Sequence, residues 1–415
     1  MPKIPELLAP AGSLEKLKTA VHYGADAVYL GGKEFSLRAH AANFTSEQLA
    51  EAVTYAHARR IKVYVTVNIL AHNRDFAGLP EYLESLLTVG VDGLIIADPG
   101  ILAVARRVAP QLPVHLSTQA NVTNLESARF WQAQGVKRLN TARELSLAEI
   151  SEIKAGTDLE IEVFTHGALC ISYSGRCLLS CHLTGRSANR GDCAHPCRYS
   201  YSLIEEKRPG QYFPVEEDER GTYIFNSRDL CLLNRLPELI AAGVDSLKIE
   251  GRMKSVYYVG AVIRTYRAAL DDLADRWPTD KGAPLPRVDP KFAAELQKVG
   301  NRGYTENFLD EPPGPAEMLY DRSHIAPTHE PTGIVRDGAN PPLVEMRNQL
   351  FPGNEIEYLG RGFSSTFHRV ERILTELGEE LPKGNPGHLV RLRLSPPSQG
   401  WEAGSLLRRK VQSCP

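Results

Sequence analysis

Apolar positions in the first two thirds of the chain follow two alternating rhythms. Short continuous apolar runs, of strand length, are separated by longer stretches in which apolar residues recur every third or fourth position, the period of an amphipathic helix. One unit repeats with different fillings: "AVHYGADAVYLGG", "LLTVGVDGLIIADPG", "FWQAQGVKRLNTARE" and "LIAAGVDSLKIEGR" each pass from a helix through a glycine into a strand. Gly24, Gly90, Gly135 and Gly243 stand where those helices must stop, because glycine enters the left-handed cap conformation without a steric penalty. Four further strands are predicted: "ELLAP" near the start, "KVYVTVN" at 62–68, "VHLSTQ" at 114–119 and "EIEVF" at 160–164.

Eight short strands alternating with helices predict an α/β fold, a (β/α)8 TIM-like barrel over residues 1–275. An open doubly wound sheet is the alternative, but its G-x-G-x-x-G fingerprint is missing. After the helical stretch "YYVGAVIRTYRAALDDLADRW", the proline-rich "PTDKGAPLPRVDP" opens a linker and helical connection over 276–325. Residues 326–415 change character: "TGIVRD", "LVEMRN", "NEIEYLG", "FHRVERIL" and "HLVRLRL" are short strands between Pro, Gly and Asn turns. They predict a small C-terminal antiparallel β-barrel.

With 42% hydrophobic and 24% charged residues, the composition is that of a globular protein. No apolar run approaches the roughly 20 residues needed to span a bilayer. The start, "MPKIPELLAPAG", lacks the pattern of a secretory signal, so a cytoplasmic protein with reduced thiols is expected. A formal net charge of -2 argues against a protein that coats nucleic acid. Between Arg176 and Arg208, however, six cations (Arg176, Arg186, Arg190, Arg198, Lys207, Arg208) face three anions (Asp192, Glu205, Glu206). That excess suits either a local anion site or an ordinary solvated loop.

Five of the seven cysteines fall within "HGALCISYSGRCLLSCHLTGRSANRGDCAHPC", residues 166–197. They lie in an insertion, about 166–231, between the seventh strand and the helix before the eighth. A barrel strand's C-terminal end opens onto the catalytic face, so the insertion is expected over the mouth. Cys170, Cys177, Cys181, Cys193 and Cys197, with Cys231 further on, are soft ligands for zinc or an iron-sulfur cluster. Their wide spread suits a cubane better than the paired knuckles of a zinc site; zinc and free thiols remain as readings.

The segment "EVFTHGALCISYSGRC", 162–177, resembles the signature of peptidase family U32. "ELLAPAG", "GADAVYLGG", "VYVTVNILAHN", "DPGI", "HLSTQANVTN", "RELSL", "NSRDL", "DSLKIEGRMKS" and "NRGYTENF" resemble, in order, blocks of that family's tRNA-hydroxylation branch. The resemblance covers almost the whole chain. It implies a barrel carrying a [4Fe-4S] cluster, a small C-terminal β domain, and formation of 5-hydroxyuridine at the tRNA wobble position, independent of O2 and with prephenate implicated. By position it implies Cys170, Cys177 and Cys193 as cluster ligands, with Cys197 as the fourth. Cys231 competes for that fourth place, and Cys181 is an addition to the pattern. The insert between Cys197 and Asn226 is shorter than in that branch.

The protease reading finds little machinery. The sequence has neither H-E-x-x-H nor G-x-S-x-G, and "THEPTG" around His329 and Glu330 lacks a second histidine. A dyad of Cys170 and His166 fails once the thiol ligates a cluster. Alternatives that stay open are a hydroxylase of another aromatic substrate, such as a quinone precursor, and a non-catalytic RNA-binding module with a structural metal.

Polar residues at the strand ends are expected to point into the barrel mouth: Asn68, His72, Gln119, Asn121, His166 and Glu250. His166 and Glu250 are the acid-base candidates, and Asn68 and Gln119 the substrate-binding amides. Arg252 first and Arg176 second are candidates to pair with a small carboxylic acid co-substrate. The competing readings are a salt bridge from Arg252 to Glu250 and a solvated loop cation.

Overall fold

The computed structural model describes residues 3–36, 43–170, 172, 175–198, 217–218, 221–222, 228–280, 282–311 and 325–411. Most of the insert between Cys197 and Asn226, with Lys207, Arg208, Glu205 and Glu206, lies outside the described residues.

The barrel begins β1 (Glu6–Pro10), α1 (Leu14–His22), β2 (Ala27–Gly31), α2 (Ser46–His57), β3 (Lys62–Val67), α3 (Leu79–Val89) and β4 (Gly93–Ile96). It continues α4 (Pro99–Val108), β5 (Val114–Leu116), α5 (Leu125–Ala133), β6 (Arg138–Asn140), α6 (Leu147–Gly156) and β7 (Glu160–Ala168). The insertion contributes α7 (Leu179–Thr184), the short pair β8 (Glu217–Asp218) and β9 (Gly221–Thr222), and β10 (Asp229–Cys231). Then come α8 (Leu236–Ala241), β11 (Ser246–Ile249) and the long α9 (Val256–Arg276). Strands β1 to β7 pair in parallel in chain order, and β11 pairs in parallel with both β7 and β1, closing an eight-stranded barrel. Helix starts carry the expected side-chain caps: Thr45 and Ser146 form reciprocal capping boxes with Gln48 and Glu149.

The stretch expected as a linker holds α10 (Pro290–Leu296) and β12 (Tyr304–Thr305), and β12 extends the sheet by pairing with β10. The C-terminal strands are β13 (His329–Asp337), β14 (Leu343–Met346), β15 (Glu355–Leu359), β16 (Ser365–Leu374), β17 (Glu380–Leu381), β18 (Leu389–Ser395) and β19 (Leu406–Lys410). All pair antiparallel, and β15 joins β16 to close a six-stranded barrel with β17 appended to β16.

The two barrels share a core. Ile334, Leu359 and Leu406 belong to the same buried cluster as α1 and α9. Tyr23 donates its hydroxyl hydrogen to the Leu359 carbonyl and accepts from the Leu406 amide, both at 2.8 Å. Gly260 lets the second barrel approach α9: a Cβ there would stand 2.5 Å from the Leu406 side chain. Among the described residues no helix is long and apolar enough to cross a membrane.

Candidate active site

The floor of the barrel is ionic. Arg138 bonds Glu6 at 2.5 Å and Glu162 at 3.3 Å, and Lys248 bonds Glu162 at 2.8 Å. Burial alone would raise the Glu162 carboxyl, but the Lys248 and Arg138 cations outweigh that and hold it below the usual range. Lys248 also lies over the rings of Tyr29 and Phe164, 4.6 and 5.4 Å from their centres.

Above this floor, at the C-terminal ends of the strands, is a small cavity of about 60 Å³. Four of the residues picked out from the sequence meet there: Asn68, Gln119, Glu250 and Arg252. Arg143, Lys248 and Asn140 join them. Three cations thus surround a space with one rim carboxylate, Glu250, while Glu162 lies beneath. Arg252 is buried, and its guanidinium donates to Ser36 at 3.1 Å, Thr66 at 3.2 Å and Asn43 at 2.7 Å, all neutral groups. Two buried polar atoms in the lining, Asn140 Oδ1 and Arg143 Nε, have no partner. An orphaned acceptor and donor in a cationic cavity are what a polar ligand would satisfy. Asn140 ends the sixth strand, so the strand-end rule applied to "RLN" would have found it, whereas Arg143 lies three residues further on in the loop. Lys248 was legible from alternation, two positions before Glu250.

His166 is placed elsewhere. The β7–β11 register runs Phe164 against Lys248 and then His166 against Ile249, a bulge that skips Thr165. The skip turns His166 to the outer face of the wall. There it is buried, its ring 5.4–6.0 Å from those of Tyr258, Tyr266 and Tyr304, with Nδ1 3.4 Å from the Tyr266 hydroxyl. Burial, with help from Lys254, pushes its pKa down to about 3. His115, buried on β5, is likewise held near 3 by burial and then by Arg138. Unfolded, each histidine would bind a proton near pH 6.5, so their contribution is complete above that pH and is lost as pH falls toward 3. At pH 5 each should have withdrawn about 2 kcal/mol of stability. Urea denaturation at pH 7 and pH 5 checks this; an unchanged midpoint would contradict it. His72, on the loop after β3, is exposed and caps a short turn.

The cysteine insertion is seated on the mouth. Gly175 packs so closely on β5's extension that a Cβ would stand 2.4 Å from the Gln119 carbonyl, and its φ of +72 favours glycine. Arg190 clasps Asp75 in bidentate fashion at 2.7 and 2.8 Å and also donates to the Leu70 carbonyl at 2.9 Å. Within the insertion, Ser180 Oγ accepts from the Ala194 amide at 3.0 Å, tying the helix that carries Cys181 to the Cys193 segment. The His195 amide donates to Cys193 Sγ at 3.3 Å.

Cys170 is exposed, and Cys177, Cys193 and Cys197 are half-buried. All four lie within this capping segment. Among the described residues no three His, Cys, Asp or Glu side chains gather tightly enough for one metal ion. Cys231 is different. It pairs across β10 with His166, lies 3.9 Å from the Tyr266 hydroxyl, and lines a separate cavity of about 510 Å³ with Arg228 and Tyr304. Burial pushes its thiol up to about 11, which disfavours the ligating thiolate.

A closed parallel barrel with a cationic mouth, capped by a thiol-bearing insertion and buttressed by a second β-barrel, defines a (β/α)8 enzyme scaffold that has its chemistry at the strand ends. The chain belongs to peptidase family U32: the model of that family matches residues 12–319, and that of the peptidase family U32 C-terminal domain matches 327–408. It is 41% identical to "tRNA hydroxylation protein P1" of Bacillus subtilis (strain 168), over 94% of this chain and 92% of that one. It is 40% identical to "tRNA hydroxylation protein P" of Escherichia coli (strain K12), covering 74% of each. The "23S rRNA 5-hydroxycytidine C2501 synthase" of Escherichia coli (strain K12) is 37% identical over 74% of this chain and 45% of its own.

Proposed function

We propose that this chain is a cytoplasmic RNA-modifying enzyme that hydroxylates the wobble uridine of tRNA to 5-hydroxyuridine without O2. The observation that carries the reading is the cationic cavity, with its unpartnered Asn140 Oδ1 and Arg143 Nε, directly under the cysteine insertion. Relatives named for tRNA hydroxylation support it. Cys170, Cys177 and Cys193 would hold a [4Fe-4S] cluster, with Cys197 as fourth ligand, since Cys231 belongs to the outer wall. Such a cluster would pass electrons one at a time; turning C5–H into C5–OH takes two electrons from the base, so the small acid co-substrate would have to donate the oxygen or accept those electrons. Arg143, Lys248 and Arg252 take the carboxylate of a small acid co-substrate, for which prephenate is our candidate. Glu250 on the rim is assigned to take up the proton that leaves the base. His166 keeps the wall rather than the chemistry.

The relative named as a 5-hydroxycytidine synthase makes a cytidine in RNA the second reading. Iron content tests the first: anaerobic purification should yield a brown protein with about four irons per chain, and a colourless protein with one zinc would defeat the redox reading. The Arg190 clasp gives a milder expectation. Arg190→Ala should lower iron retention by roughly 10-fold, the effect of losing a group that orients a ligand-bearing segment; unchanged retention would mean the clasp does not position the insertion.

A further inference from the structure

A second cavity, of about 220 Å³, adjoins the cationic one and shares Asn68 and Gln119 with it. Its walls are Ile69, Leu70, Pro99, Ala120 and the indole of Trp131, and Gly175, Arg176 and Asn189 of the insertion close it from above. Several waters would fit, at roughly 30 Å³ each, yet the walls are mainly carbon. Asp98 also lines it, its carboxylate taken up in capping α4 through the Gly100 and Ile101 amides. A mainly apolar slot with one indole, one guanidinium and three amides suits a flat heterocycle better than water or a second carboxylate.

The orientation of one amide says which heterocycle. Gln119 Oε1 accepts from Ser117 Oγ at 2.5 Å and from Asn68 Nδ2 at 3.3 Å. Turned the other way, the Gln119 amino group would face the Asn68 amino group, whereas the Ser117 hydroxyl could serve either orientation, so Asn68 Nδ2 is what sets the oxygen on that side. The Nε2 hydrogens are then turned away from Asn68, on a residue that lines both cavities. A donor at this place reads an acceptor.

We propose that the 220 Å³ cavity receives a pyrimidine turned out of RNA, stacked against Trp131 and Arg176, and that Gln119 Nε2 donates to its C4 oxygen. Uracil carries an oxygen at C4, whereas cytosine carries an amino group that would face a second donor. Gln119 is thereby a specificity-determining residue for uridine over cytidine. This rests on the reading of the chain as an RNA pyrimidine hydroxylase. It adds a division of labour at the mouth: the cationic compartment holds a carboxylate, the apolar one the base, and the two amides stand between them.

Binding tests it without requiring turnover. The full-length protein is titrated with two RNA stem-loops that differ only in one unpaired loop residue, U or C, following tryptophan emission. Expected are a quench on binding and a preference for the U loop of roughly 10- to 100-fold, the discrimination of one well-placed base contact. Gln119→Glu, which offers an acceptor, should reverse the preference, and Gln119→Leu should reduce it to about one. Trp131→Leu should weaken both loops alike and abolish the quench. An unchanged U:C ratio in both Gln119 variants would overturn the assignment of Gln119, and equal binding of the two loops by the unaltered protein would overturn the base pocket alone. Failure to bind either RNA would overturn it together with the function it rests on.

Discussion

Cys177→Ser is expected to abolish RNA hydroxylation, by at least about a hundredfold, while leaving the barrel folded. The estimate starts from the 10- to 100-fold typically lost when even an outer-shell partner of a metal site is removed; loss of a ligand itself should exceed it. Folding should survive because Cys177 is a half-buried member of a capping insertion, outside the barrel's buried cluster. The same substitution at Cys231 should behave in the opposite way. Its thiol packs on the outer wall beside Tyr266, so Cys231→Ser should keep iron and activity and cost stability. Iron counting and circular dichroism on both variants separate the two outcomes. If Cys231→Ser loses the cluster and Cys197→Ser keeps it, the fourth ligand is misassigned.

Arg408→Ala should destabilise the protein by about 3–5 kcal/mol, through the junction of the two barrels. Arg408 is 0% exposed and bonds both oxygens of Glu357 at 2.7 Å, and both of Glu295 at 2.5 and 3.0 Å. Burial would raise the Glu295 carboxyl, but Arg408 overrides that, with Lys298, and holds it at about 2. Alanine would leave Glu357 in the interface with Lys298 at 4.0 Å as its nearest cation, while Glu295 would keep Arg264 and Lys298. The loss should be a stability effect: Arg408→Met combined with Glu357→Gln should recover most of it, because Glu295 then remains paired with Arg264 and Lys298 and no buried carboxylate is left without a cation. A denaturation midpoint for Arg408→Ala within 1 kcal/mol of the parent, the ~1 kcal/mol typical of substitutions that break nothing buried, would contradict this account.

Local signals carried the barrel well and the insertion poorly. The helix–glycine–strand unit is written in neighbouring residues, so Gly24, Gly90, Gly135 and Gly243 all sit at helix ends with positive φ. "KVYVTVN" became Lys62–Val67 almost unchanged, whereas only the first half of "VHLSTQ" is strand, because Thr118–Ala120 turn back to build the amide pair at the mouth. "EIEVF" runs on to Ala168 since β10, some 60 positions away in sequence, supplies an antiparallel partner. Pairings between distant segments leave no periodic trace. For the same reason β12 lies inside the stretch expected as a linker, and "LLRRK" of β19 is not among the predicted strands: its Arg408 is buried against carboxylates from α10 and β15.

The site divides similarly. Asn68, Gln119, Glu250 and Arg252 were readable because a strand's end in a barrel fixes where its side chains point. His166 escaped the same rule through a single skipped residue, which a count in twos does not register. Arg176 was found as a cation of the insertion, but its place over an apolar slot follows from Gly175 packing on Gln119, a contact between distant segments.

Nucleoside analysis of tRNA is the measurement that bears most directly on the function proposed here. Total tRNA from a strain lacking this protein should contain no 5-hydroxyuridine or its derivatives, the parent chain should restore them, and the Cys177→Ser chain should not. Unchanged 5-hydroxyuridine in the deletion strain would contradict the account at its centre.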